Sequence, residues 1–193
     1  MQVDPADPAR ASFSSFRQVR GISERLATAG QPTAGQFALI REAGYEVVIN
    51  LALTTSDDAL ANEGSLVAGL GMSYVHIPVD FAQPTESDFE VFAGVLDAFR
   101  GRRVFIHCAM NMRVSAFVFL YRVLRGEATQ TEALRDLKAI WEPDGTWARF
   151  IEDRLPPLPR HGRASDIRNV EGLAERDESL LPQSRAERSR RTP

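Results

Sequence analysis

The chain has 193 residues, 44% hydrophobic and 25% charged, with a formal net charge of −3. That is one domain of ordinary size with a tail left over, and a domain of ~150 residues buries roughly 70% of its unfolded surface without a metal or disulfide staple. The single cysteine excludes an internal disulfide framework. No apolar run approaches the ~20 residues that span a bilayer, and the slightly acidic balance argues against a nucleic-acid-binding face. No basic segment followed by an apolar stretch opens the sequence, so it reads as cytoplasmic, without a membrane anchor. Nothing in it specifies an oligomeric state.

Residues 1–16, with Pro5 and Pro8, read as a flexible N-terminus. Residues 17–155 read as the folded domain. The pattern over 33–43 is helical. Residues 46–51 (EVVINL) follow Gly44 and make a short β-branched run, hence a buried strand. Ser56 or Asp57 can cap a helix running to about Leu70. Residues 73–79 (SYVHIPV) predict a second strand. Thr85 with Asp88 makes a capping box, after which Phe89, Phe92, Ala93, Leu96 and Phe99 share one helical face. Residues 103–107 (RVFIH) predict a third strand, and 113–124 (RVSAFVFLYRVL), apolar nearly all round, a central buried helix. Thr129 and Glu132 make a second capping box before Ala133, Leu134, Leu137, Ile140 and Trp141. A last helix over 146–154 follows the turn Pro143-Asp144-Gly145. Residues 156–193 open on three prolines and carry 8 Arg and 6 acidic residues without an aromatic, the composition of a disordered tail.

Strand–helix alternation predicts an α/β domain around a mostly parallel sheet. Such sheets bind ligands outside the carboxyl ends of their strands, which directs attention to Asn50, Asp80 and Cys108. The strand RVFIH runs straight into CAMNMR, and the next helix begins at about Arg113. Unpaired N–H groups and the helix dipole at that junction favour a thiolate, and the Arg113 charge adds to them. The same groups would cradle a phosphate or another oxyanion, with the thiolate as nucleophile. A right-handed crossover brings the loop after the preceding strand to the same sheet edge. Asp80 is therefore the candidate proton donor, ahead of Asp88, which its capping box already occupies.

The strand–HC–loop–Arg–helix unit resembles the cysteine-dependent protein tyrosine and dual-specificity phosphatases. ATAGQP at 27–32, VVINL at 47–51, IPVDFAQPT at 77–85 and HCAMNMRVSAF at 107–117 are similar to a small prokaryotic branch of phosphatase-like proteins, related to the phosphatase-like domain found beside β-lactamase-like hydrolases. The resemblance implies a four-to-five-stranded, mostly parallel sheet flanked by helices. It implies a Cys108 nucleophile, a phosphate-binding Arg113, an Asp80 general acid, and no metal or cofactor. Ala109, Met110, Asn111, Met112, Ser115 and His107 would then surround the phosphate of a phosphorylated protein or a small phosphate ester.

The loop departs from the family pattern of Cys-x5-Arg with a central glycine and a hydroxyl residue directly after the arginine. Here the spacing is Cys-x4-Arg, Asn111 stands where flexibility is expected, Val114 follows Arg113, and the hydroxyl comes one place later at Ser115. The shorter loop is the length seen in rhodanese-type sulfurtransferases, so a Cys108 persulfide is one alternative. A phosphate-binding module without turnover is another. Among the remaining residues, His107 reads as orienting the loop through its backbone, Asn50 as fixing a turn, and His76 as strand packing. Ser115 either assists thiolate departure or faces the preceding turn. Met110 and Met112 read as loop walls, and Trp141, Pro143 and Trp147 as packing around the last turn.

Overall fold

The structure, a computed structural model, describes residues 13–155. Of the expected flexible N-terminus over 1–16, residues 1–12 lie outside the described residues, as does the tail 156–193. Along the chain run β1 (Arg20–Gly21), β2 (Leu26–Ala29), α1 (Gln36–Glu42), β3 (Val47–Asn50), α2 (Glu63–Gly69), β4 (Ser73–His76), α3 (Glu86–Ala98), β5 (Val104–His107), α4 (Met112–Leu124), α5 (Gln130–Lys138) and α6 (Gly145–Glu152). None of these helices is long and apolar enough to cross a membrane.

The strands form one sheet in the order β1-β2-β5-β3-β4. β1 pairs antiparallel with β2, and the other neighbours are parallel. The register sets Ala29, Asn50, His76 and His107 level at one edge, since Ala29 and Asn50 both oppose His107 and Asn50 opposes His76. β5 lies between β2 and β3, and all four of its residues are buried, as a strand covered on both faces must be. On one face Val104, Ile106 and Cys108 join the core made with α3, α4 and α6, which includes Phe89, Phe92, Phe117, Leu120, Trp147 and Phe150. On the other face Phe105 packs with Phe37, Ile40, Tyr45, Val67 and Met72. The α4 segment is buried over nine consecutive residues, from Arg113 to Tyr121, as its all-round apolar pattern requires.

Both capping boxes form, Thr85 with Asp88 and Thr129 with Glu132. The expected helix from Ser56 or Asp57 does not. Asp58 adopts a left-handed φ of 61°, which a helix cannot pass through, and α2 starts only at Glu63. Ile140 and Trp141 fall beyond the end of α5, and Phe99 is the C-cap of α3. β1 and β2 carried no strand pattern in the sequence: β1 is two residues long, and β2 is Leu-Ala-Thr-Ala, buried throughout and therefore without alternation. The packed unit also reaches upstream of residue 17, because Phe16 is buried and Phe13 stacks on Phe105 with ring centroids 6.1 Å apart.

Candidate active site

Cys108 follows the last residue of β5 and is 1% exposed. Ala109 is half-buried, Met110 exposed, Asn111 buried and Met112 half-buried. β2 holds this loop from one side. Gly30 bridges Met110, Gln31 N–H donates to the Ala109 carbonyl at 3.0 Å, and Gly30 N–H donates to the Arg17 carbonyl at 2.8 Å. A Cβ at Gly30 would lie 2.8 Å from the Ala109 oxygen, which is why the chain needs glycine there.

Asn111 is the N-cap of α4, in the left-handed region with φ 60° and ψ 2°. It makes no side-chain cap. Its amide instead donates to the Gln18 carbonyl at 2.7 Å and to Thr28 Oγ1 at 3.0 Å. The loop is thus tied to the β1–β2 side while the first turn of α4 keeps its N–H groups. Among the described residues, no acceptor takes those of Met112, Arg113 and Val114, and the first helical bond runs from Ser115 N–H to Asn111 O.

Arg113 is buried, 8% exposed. One Nη1–H donates to the Leu51 carbonyl at 3.2 Å, and the guanidinium carbon stands 5.8 Å from the centre of the Phe81 ring. The Arg113 Nε is buried with no partner among the described residues. The same Leu51 carbonyl accepts from Val79 N–H at 3.2 Å, so the chain after β4 runs beside the end of β3 and delivers residues 80–83 to the Arg113 side. Asp80 is exposed there, with Oδ1 accepting from Ala82 N–H at 2.8 Å. Phe81 anchors this loop. Its carbonyl accepts from Trp147 Nε1 at 2.8 Å, and its ring packs 5.6 and 5.8 Å from Trp147 and Trp141.

Several expectations need correction. His107 does not bond the loop backbone: its Nε2 is 3.0 Å from Glu63 Oε1, a carboxylate on the far side of the sheet from Cys108. Ser115 faces the preceding turn, donating to the Met112 carbonyl at 3.0 Å and accepting from Trp141 Nε1 at 3.1 Å, so its hydroxyl is already engaged by these two partners. Met110 is more rim than wall, its sulfur accepting from Arg17 Nη1 at 3.4 Å while Arg17 pairs with Asp58 at 3.1 Å. Asn50 does fix a turn, accepting from Ala52 N–H at 2.7 Å, and His76 bonds the Ala52 carbonyl at 2.7 Å. Trp141 and Trp147 pack around the last turn and in doing so support the Asp80 loop.

Sequence reasoning missed Glu63 and Phe81. Glu63 is 4% exposed, and its carboxylate accepts from His107, from Asn50 Nδ2 at 3.0 Å and from Gln31 Nε2 at 2.6 Å. Burial alone would raise its pKa, but the bonds and charge interaction with His107 and the bond from Gln31 outweigh burial and hold it below the usual carboxylate range. A carboxylate oxygen accepts, so the 3.0 Å contact is assigned to the His107 tautomer with its hydrogen on Nε2.

A family model described as DSP-PTPase phosphatase fused to NAD+ kinase matches residues 12–146. A candidate phosphatase (DUF442) from Shewanella putrefaciens CN-32 is 33% identical, with a TM-score of 0.68, over 74% of this chain and 94% of that one. TpbA of P. aeruginosa is 18% identical, with a TM-score of 0.58 over 79% and 88% of the two chains. TpbA with a Cys-to-Ser substitution, in complex with phosphotyrosine, matches at 16% identity and a TM-score of 0.55 over 90% and 95%. These last two likenesses are of fold. No curated protein matches the sequence.

Proposed function

We propose a reaction from the premise that this chain belongs to the DSP-PTPase phosphatase family: hydrolysis of a phosphate monoester through a phosphocysteine on Cys108. The observation that carries the reading is the Arg113 guanidinium, buried with its Nε unpartnered, at a helix N-terminus whose N–H groups no side chain caps, five residues from the only cysteine. A buried cation short of acceptors is costly until an anion completes it. A phosphoryl group offers two oxygens to the guanidinium fork and a third to the loop N–H groups.

In the first step the Cys108 thiolate attacks phosphorus. The S–P bond forms as the bond to the leaving oxygen breaks, and Asp80 gives that oxygen its proton. In the second step the Asp80 carboxylate takes a proton from water, the resulting hydroxide attacks phosphorus, the P–S bond breaks, and phosphate and thiolate are released. The Phe81 ring against Arg113, with Trp147 holding the Phe81 carbonyl, supports Asp80 as the acid, because it fixes the neighbouring residue beside the guanidinium. The substrate is a phosphorylated protein or a small phosphate ester; a protein of the same fold crystallised with phosphotyrosine, an aryl phosphate monoester, supports that class.

The test is turnover of an aryl phosphate by the native protein, Cys108→Ser and Asp80→Asn. Native turnover is expected, with complete loss in Cys108→Ser and a fall of about 10²-fold or more in Asp80→Asn, the usual contribution of a general acid. A native protein that is silent on aryl phosphates but transfers sulfur from thiosulfate to cyanide would replace this reading with a persulfide on Cys108. Phosphate binding without turnover, retained in Cys108→Ser, would replace it with a binding module.

A further inference from the structure

Among the described residues, Glu63 is the one buried carboxylate, and nothing in the proposed reaction uses it. Its three hydrogen-bond donors do not lie on its own helix. Gln31 follows β2 by two residues, Asn50 ends β3 and His107 ends β5. These are three neighbouring parallel strands whose ends the register sets level.

Each donor also holds the Cys108 loop through a second group. Gln31 N–H donates to the Ala109 carbonyl. Asn50 Oδ1 accepts from Ala52 N–H and fixes the turn whose Leu51 carbonyl receives the Arg113 guanidinium. His107 is bonded directly to Cys108 in the chain, and its own carbonyl accepts from Leu51 N–H at 2.9 Å. One carboxylate therefore gathers the three strand ends that carry the nucleophile, the guanidinium's acceptor and the N–H that donates to the loop.

Packing alone does not require a charge at this position. A well-packed apolar residue holds a short helix on a sheet at no desolvation cost, and burying a carboxylate is costly unless its bonds are all made. What a carboxylate supplies is four acceptor sites in a fixed plane, able to orient donors from separate strands. We infer that Glu63 is a positioning residue for the anion-binding loop of residues 108–113, setting its shape through Gln31, Asn50 and His107 without touching substrate. The inference rests on the reading above in taking that loop as the phosphate cradle.

Tungstate binding followed by calorimetry on the full chain tests it, because binding reads the cradle without needing turnover. Glu63→Gln keeps an oxygen for His107 and Asn50 but removes the acceptor for Gln31. Gln31→Met cuts the same arm from the other side. Both variants are expected to melt cooperatively and to bind tungstate at least about tenfold more weakly, as a small misplacement of a binding group does. Where the native protein hydrolyses aryl phosphate, kcat should fall more than KM rises. If either folded variant binds tungstate as the native chain does, Glu63 is merely structural and the inference is overturned, while the phosphatase reading stands. Should Glu63→Gln fail to fold, Gln31→Met decides alone. A native chain that binds tungstate but turns nothing over, with weakened variants, keeps the inference and removes the hydrolase. A native chain that binds no tungstate overturns both.

Discussion

Replacing Gly30 by alanine should damage the site through the backbone alone. The added methyl would sit 2.8 Å from the Ala109 oxygen and 3.1 Å from Arg17 Cβ and Cδ, where ordinary contact begins at 3.4 Å. Arg17 Cδ can swing aside. The Ala109 carbonyl cannot retreat without stretching its 3.0 Å bond from Gln31 N–H and moving the loop between Cys108 and Arg113. Overpacking of this kind costs about 1–3 kcal/mol, and a weakened buried hydrogen bond about 1 kcal/mol more. For a unit of this size roughly 2–4 kcal/mol lowers the melting temperature by about 5–15 °C.

The control is Gly35→Ala. Gly35 has φ −70° at the start of α1, with nothing within 4 Å of a Cβ, so alanine there should be neutral within about 0.5 kcal/mol. Melting is read by circular dichroism and turnover on an aryl phosphate, with turnover in Gly30→Ala down about tenfold or more from loop displacement. A Gly30→Ala protein that melts and turns over like Gly35→Ala would refute the claim that β2 holds the loop by close backbone approach.

Tungstate at a hundred times its dissociation constant should stabilise the native protein by about 2.7 kcal/mol, a melting shift of roughly 5–10 °C. Arg113→Met should abolish that shift while leaving the ligand-free protein at least as stable, because it removes a buried cation short of acceptors; a retained shift would place the anion elsewhere. Ser115→Ala should cost about 1 kcal/mol from the lost bridge between Met112 and Trp141. Its kcat should stay within about threefold of native, and a larger fall would return the hydroxyl to the chemistry. Asp136 is partly buried, which opposes ionisation, yet the Arg122 and Arg20 guanidiniums at 2.6 and 2.8 Å hold its carboxyl below the usual range. A depressed pKa gives stability that is present above the unfolded-chain value and lost as pH falls through the folded one. Asp136→Asn should therefore melt earlier by about 1–3 kcal/mol at neutral pH, with the gap closing below about pH 4 in acid melts.

What the sequence revealed was local. The β-branched runs of β3 and β5, the two capping boxes and the apolar α4 each carry their signal within a dozen residues, and the Cys108–Arg113 junction follows from the order strand, loop, helix. What it hid depends on pairing across the sheet. β2 is a strand only because β1 and β5 flank it, and its alanines carry no β-preference. Glu63 looks like a surface residue of a short helix until three strand ends converge on it. A signal was present nonetheless: Gln31, Asn50 and His107 each put a polar side chain at a buried strand end, and buried polar groups demand partners. A shared acceptor was the unstated term.

The short loop is the feature that most separates this chain from the family pattern, and Asn111 shows how it closes. A six-residue span from cysteine to arginine has to turn into α4 abruptly, which calls for a left-handed residue; glycine supplies that without strain, and asparagine is among the few others that do. Glycine would leave the turn untethered. Asn111 accepts the left-handed φ and uses its amide to fasten the turn to Gln18 and Thr28, instead of capping α4. Because that amide is turned away, the N–H groups of the first turn, like Arg113 Nε, have no protein acceptor among the described residues. Against the family pattern the loop has one N–H fewer, while the Asn111 tether fixes the turn that carries the remaining donors. Preorganised donors are worth more to a developing charge than a larger number of mobile ones, so the shortened loop is compatible with phosphoryl transfer.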